Sequence, residues 1–343
     1  MAATADDKQP PHSPHVVSGA GVIEELPRIV DDFGFHTPLL VLGHGNTSLA
    51  DQIKTLLSGR VSGSFNDAVT HVPAWQANLA VACAQEVHAD AVIAIGGGTS
   101  AGYAKVIALA LGLPWIAVPT TLSGAHMTTR YLVTTELGKE SGWSTRAAVR
   151  AVVYDPDLLV TVPRPVLASS GMSAIGACLE VLANGRSGKA CDAERGLNLL
   201  WKTLPRLVNG RAHEDDRIES FQGAHLAGRA LEAAGPGSAQ LLAEELGAVH
   251  GSNHGALVAC LAPKIGRNVA AGRNVGGPGE TPDLIREFAR SLGFAVELDQ
   301  VCPIPDFATL TDRWAARPDL AGMVDVEILR SLLDADDCHS SPR

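Results

Sequence analysis

Aromatic side chains make up only 4% of this 343-residue chain, so its core must be filled by Ala, Val, Leu and Gly. That suits parallel strands covered on both faces by helices. Cysteine is sparse too. Cys83, Cys178, Cys191, Cys260, Cys302 and Cys338 show no CxxC pair or metal-knuckle spacing, which argues against a zinc ribbon or a disulfide scaffold. They read as reduced, mostly buried thiols. Basic residues are the minority, 27 Lys and Arg against 37 Asp and Glu, for a net charge of −10. Such a balance argues against nucleic acid or an anionic membrane as partner and leaves a small-molecule substrate. Met1 to Pro14 lacks an apolar signal core, and no run reads as transmembrane. A cytoplasmic protein with a disordered start, residues 1–14, is the expectation.

What the chain has in abundance is hydrophobic residues, 46%, and 35 glycines. Three of these glycines are consecutive. Gly96-Gly97-Gly98-Thr99-Ser100 closes the apolar run Ala91 to Ile95 and opens a helix near Ala101. Backbone without Cβ atoms can lie against a pyrophosphate, the N–H groups and dipole of the helix attract the anion, and Thr99 and Ser100 add hydroxyls. A second apolar run, Trp115 to Val118, ends in Pro119-Thr120-Thr121-Leu122-Ser123-Gly124. In a parallel sheet both loops emerge at the carboxyl edge, so Gly96, Gly97, Gly98, Thr99, Ser100, Thr120, Thr121 and Ser123 are candidate cofactor contacts. Gly19 to Gly21 and Gly43-His44-Gly45 lack the third glycine of the dinucleotide fingerprint. The first reads as a turn into a helix near Ile23; Gly43 and His44 are candidates to sit beside an adenosine ribose.

Apolar runs alternate with helical-period segments up to about Thr129, which implies βαβ units. Tyr131 to Thr135 and Ala148 to Tyr154 look like a hairpin-like pair flanking a polar loop with Lys139, Trp143 and Arg146. Past Pro163-Arg164-Pro165 the pattern becomes long amphipathic segments: Pro165 to Ala183, Ala190 to Leu207, Ile218 to Ala234 and Ala239 to Leu246. Gly235 to Ser238 breaks the helical pattern, and Gly272 to Pro282 reads as a loop. The expected fold class is therefore α/β: a Rossmann-like parallel-sheet domain over residues 15–162, an all-α substrate domain over 163–335, and a frayed tail, 336–343.

Several segments carry a resemblance: Phe65 to Pro73, Gly96 to Lys105, Pro119 to Thr128, and Val153-Tyr154-Asp155-Pro156. Together they resemble the iron-containing (group III) alcohol dehydrogenase superfamily, and within it the maleylacetate reductases, which are similar to this chain in having glycine at Gly102. The resemblance implies dehydroquinate synthase-like architecture, NADPH or NADH as cofactor, a homodimer, and Lys139 near the nicotinamide. It also implies a divalent metal, held by an Asp and a His one helical turn apart and two further histidines, acting as a Lewis acid. Here those positions are Ser173, Ala177, Gln240 and His254, with Glu244 replacing the second histidine of the H-x-x-x-H segment. One imidazole in that company is not a site for zinc or iron, so no metal is expected; a site rebuilt from His250, Glu244 and Cys178 around His254 is the alternative.

Without a metal, the substrate must be activated by acids and hydrogen bonds. Candidate catalytic groups are His254, His126, His250 and Glu244; Ser173, Ala177, Gln240 and Arg130 are candidates for the substrate pocket. His126 stands where relatives tend to have glutamate, and imidazole titrates near neutrality. Arg130, Arg146 and Arg229 are candidate carboxylate clamps. The leading function is a metal-independent NAD(P)H-dependent reductase of a small activated carbonyl, enone or keto acid. The alternative is a non-redox or redox-neutral cyclase, isomerase or lyase on the same fold. A catalytically dead binding protein fits less well, because the glycine loops stand while the metal ligands are gone.

Overall fold

The computed structural model describes residues 13–43, 45–136, 138–184, 190–272, 281–304, 306–315, 317 and 326–333. No side chain faces solvent on β2 (Leu39–Gly43), β4 (Val92–Gly96) or β5 (Trp115–Pro119). Their unbroken apolar runs occupy the middle of a six-stranded, wholly parallel sheet, where both faces are covered. Its order is β1-β8-β5-β4-β2-β3, with β1 (His15–Ser18), β3 (Gly63–Ala68) and β8 (Ala151–Tyr154) completing it. The edge strands β1 and β3 escape the sequence reading because their outward side chains are polar or exposed.

Helix α1 (Leu26–Asp32), α2 (Thr47–Leu56), α3 (Ala74–Glu86) and α4 (Gly98–Leu111) clothe the sheet. The chain leaves β2 toward β3 and leaves β4 toward β5, in opposite directions, so the topological switch point lies between the carboxyl ends of β2 and β4. Gly43 and Gly96 end those two strands.

The hairpin is a correction. β6 (Arg130–Thr135) pairs antiparallel with β7 (Gly138–Trp143), while Ala151–Tyr154 joins the main sheet instead. The polar segment is thus a strand, and Lys139 lies opposite Thr134 in register. The apolar run Val152-Val153 is buried on both faces, which a two-stranded ribbon cannot provide.

From Arg164 the secondary structure is helical: α5 (Arg164–Ala183), α6 (Ala190–Val208), α7 (Glu214–Ala234), α8 (Ser238–His250), α9 (His254–Gly272), α10 (Pro282–Ser291), α11 (Phe307–Ala315) and α12 (Val326–Leu333). Contrary to expectation, α5 is long and apolar enough to cross a membrane. It packs against α6, α7 and α9, and 72% of its apolar window is buried, so that composition serves a core helix. The break at Gly235–Ser238 is a turn whose following helix is capped by Glu180: its carboxylate accepts from the N–H groups of Gly237, Ala239 and Gln240 at 3.1, 2.7 and 3.0 Å. Residues 1–12, 273–280 and 334–343, with the predicted disordered start, most of the Gly272–Pro282 loop and the frayed tail, lie outside the described residues.

The two parts are joined by half-buried polar contacts. Thr129 donates its N–H and hydroxyl to Glu232 on α7, both at 2.7 Å. Arg130 on β6 grips Glu244 on α8, Nη1 to Oε1 at 2.5 Å and Nη2 to Oε2 at 2.9 Å.

Candidate active site

At the switch point, Gly96 has φ +135° and α4 begins at Gly98, so the first amides of α4 point out at the carboxyl edge. The second loop lies directly on the first. A Cβ at Gly97 would stand 2.5 Å from Thr121 Oγ1, and the Thr120 N–H donates to Gly96 O at 3.0 Å. Gly97, Gly98, Thr99, Thr121 and Ser123 keep partial exposure at this crevice, with Gly43 across it. Two expected contacts are corrected. Ser100 is buried and donates its hydroxyl to Ile95 O at 2.8 Å, closing the turn, and Thr120 is buried beneath the loop. The Ser100 hydroxyl serves the fold. His44 lies outside the described residues.

His126 is a further correction. Its ring is buried, with Nε2 2.5 Å from Tyr154 Oη, which in turn lies 3.2 Å from His225 Nδ1 on α7. Burial, with His225 and Lys105 nearby, pushes its pKa down to about 3. The expected titration near neutrality does not occur in such a place.

A polar cluster forms where α8, the start of α9, the β6–β7 hairpin and the β3–α3 loop meet. His254 is the first residue of α9; its Nε2 lies 2.9 Å from Gln240 Oε1, and Gln240 Nε2 donates to Ser173 O at 3.3 Å. Burial lowers the His254 pKa, against the pull of Glu244. Burial also works to raise the Glu244 carboxyl, but the Arg130 guanidinium outweighs it and the net shift is downward. Glu244 is therefore an ion-paired carboxylate and not an acid, and Arg130, spent on Glu244 and on Ser141 Oγ at 3.1 Å, is not a substrate clamp. Arg229 pairs with Asp192, and Arg146 is exposed. His250 is exposed on the last turn of α8. Ser173 keeps partial exposure beside Gln240, whereas Ala177 is buried in the helical core.

This donor set does not suit a metal ion. Among the described residues no group of three His, Cys, Asp or Glu side chains could hold one. Arg130 occupies both Glu244 oxygens, Gln240 occupies His254 Nε2, and burial pushes the Cys178 thiol up to about 12. The rebuilt site considered for His250, Glu244 and Cys178 is not assembled.

Two residues of this cluster escape sequence reading. His71 and Val72 both have positive φ, +67° and +48°, costly for non-glycine residues and for a β-branched one above all. Thr134 pins them: its hydroxyl donates to His71 O at 2.6 Å and its N–H to Val72 O at 3.0 Å. The His71 ring reaches Gly247 of α8, and burial lowers its pKa to about 4. Gly102 makes room for this path, because a Cβ there would stand 2.8 Å from Val72 Cγ2. The His71 carbonyl then accepts from Lys139 Nζ at 3.3 Å.

The sequence profile of the iron-containing alcohol dehydrogenases matches residues 13–156. Maleylacetate reductase 1 of Cupriavidus pinatubonensis is 30% identical over 304 residues, 86% of each chain. The maleylacetate reductase of Burkholderia cepacia is 34% identical over 252 residues, covering 73% of this chain and 72% of its own. The crystal structure of maleylacetate reductase from Agrobacterium tumefaciens superposes with a TM-score of 0.79 at 25% identity, over 93% of this chain and 95% of that one.

Proposed function

The chain belongs to the iron-containing alcohol dehydrogenase superfamily, on the side of its maleylacetate reductases, and from that premise we propose that this NAD(P)H-dependent oxidoreductase reduces a small activated carbonyl, enone or keto acid without a metal ion. The observation that carries the metal-free half is the donor set. A Lewis acid needs three or four ligands, and here the positions at which the family resemblance would place them hold Ser173, Ala177, Gln240 and a single imidazole, His254, which is bonded to Gln240, while Glu244 is paired with Arg130.

For the cofactor, the residues fit. The partly exposed Gly97 and Gly98 at the start of α4 and the hydroxyls of Thr99, Thr121 and Ser123 offer donors to a pyrophosphate, with Gly43 across the switch point. The nicotinamide supplies hydride when bound. The protein's part is to hold the acceptor, exclude water and stabilise charge developing on the substrate oxygen. An already conjugated or electron-poor carbonyl needs less polarisation, so protein donors suffice for it.

The test uses chelator-treated protein. NADPH and then NADH are titrated by fluorescence, and cofactor oxidation is followed with maleylacetate, a 2-oxo acid and an aliphatic aldehyde, with and without EDTA. We expect saturable binding and turnover that EDTA leaves within about twofold. Activity that vanishes on chelation and returns with added zinc or iron would reject the metal-free reading.

A further inference from the structure

Two lysines are buried at the junction of the sheet domain and the helices, and they are bonded very differently. Lys105 on α4 is 3% exposed, and its Nζ donates to Ala125 O at 2.8 Å, Thr128 Oγ1 at 2.9 Å and Arg130 O at 2.8 Å. Three N–H bonds meet three acceptors, as a buried ammonium requires. Lys139 on β7 is 6% exposed, yet among the described residues its Nζ reaches a single acceptor, His71 O, at a long 3.3 Å.

The neighbouring carboxylates are already occupied. Both Glu244 oxygens bind Arg130, while Glu245 pairs with Arg313 at 2.8 Å and Arg317 at 3.2 Å. His71 and His254 also face the cluster and offer no negative charge. A buried ammonium with N–H groups left over is costly to the fold. It is an open donor in the same cluster that holds His254, Gln240 and Ser173.

We propose that Lys139 is the proton donor of the reduction, hydrogen-bonding the substrate oxygen and protonating it as hydride reaches the adjacent or conjugated carbon. The proposal rests on the reductase reading above. The hydride electron pair forms the new C–H bond, the C=O π pair moves onto oxygen, and that oxygen takes a proton from Nζ. The carbonyl is reduced at the expense of one NAD(P)H, and the neutral amine regains its proton from solvent water once product leaves. An enone gives an enol at the same oxygen, which then tautomerises. No other cluster residue is suited to this: His254 is engaged with Gln240, Glu244 is held ionised by Arg130, and His126 is sealed against Tyr154. Burial, partly offset by Glu244, brings the Lys139 pKa down to about 8, so the acid is protonated below that value and lost above it.

The experiment compares wild type with Lys139→Met, Lys139→Arg and, as a structural contrast, Lys105→Met. Melting temperature, NADPH affinity and turnover with the same three-substrate panel are measured on each. We expect Lys139→Met to melt no lower than wild type and to bind NADPH within about threefold, while kcat falls ~10²–10³-fold, the scale of a general acid. Lys105→Met should melt lower. Wild-type kcat should decline as pH rises through about 8, and the residual activity of Lys139→Arg, whose guanidinium does not titrate there, should lack that decline. Near-wild-type turnover in Lys139→Met overturns the proposal, as does loss of NADPH binding, which would make Lys139 a cofactor contact. A drop in melting temperature matching Lys105→Met overturns it too. If wild type binds no NAD(P)H or reduces none of the panel, the reductase reading itself fails and the proposal falls with it.

Discussion

Side-chain chemistry in this protein is decided by who is already paired. Arg130 and Glu244 are the sharpest case: a residue type suited to clamping a substrate carboxylate is consumed by a carboxylate of the protein, with Arg130 4% and Glu244 15% exposed. Removing one partner of such a buried pair leaves the other charge stranded. Arg130→Met is expected to lower unfolding stability by about 3 kcal/mol, read by urea denaturation, and Arg130→Met with Glu244→Gln should recover most of that loss. If the single substitution costs under about 0.5 kcal/mol, the scale of an exposed pair, the pair does not join the domains as described. The motif singles out His254 as a candidate; its engagement with Gln240, and the buried contact of His126 with Tyr154, depend on neighbours farther along the chain.

At the scale of elements, loops lie on loops and require absent side chains. Gly97 is glycine because Thr121 rests on it, which changes what a substitution there would report: Gly97→Val would push the two loops apart before it met any phosphate. Gly102 plays the equivalent part on α4, beneath Val72. In Gly102→Ala the new methyl meets a stiff β-branched neighbour at 2.8 Å. The His71–Val72 segment must then lift, and the His71 carbonyl withdraws from Lys139. Turnover should fall, by up to about 10²-fold for a shift near 1 Å, with NADPH affinity close to wild type. Steady-state kinetics beside a fluorescence titration would check this, and unchanged kcat would show that the loop path does not matter to the site. The glycines were visible in the sequence, but the partners that explain them were not.

Across the whole molecule, buried histidines set the response to acid. Burial lowers the pKa of His71 to about 4, His126 to about 3 and His225 to about 4. A group depressed in the folded state adds stability that is present above its unfolded value near 6.5 and is lost as pH falls toward the folded one. Glu180 works the other way, since burial raises it to about 7, and its contribution is greatest below the unfolded carboxyl value and lost as pH rises through about 7. His254, Glu244 and Asp216 are also lowered and act with the three rings, against Glu180. The melting temperature should fall as pH is lowered from 6.5 toward 4, and a flat profile over that interval would mean that these rings are not held neutral in the fold.

What local order made legible in the chain was the apolar runs that become central parallel strands, the glycine turn at a strand's end, and the long helices after Arg164. Pairing, by contrast, was set by the three-dimensional packing. Whether β6 meets β7 or Ala151–Tyr154, whether Arg130 faces a substrate or Glu244, and whether a lysine finds three acceptors or one are settled by contacts between residues distant along the chain. Hydrogen bonds and ion pairs act over a few ångströms, and the packing of the two domains chooses which groups come within that reach.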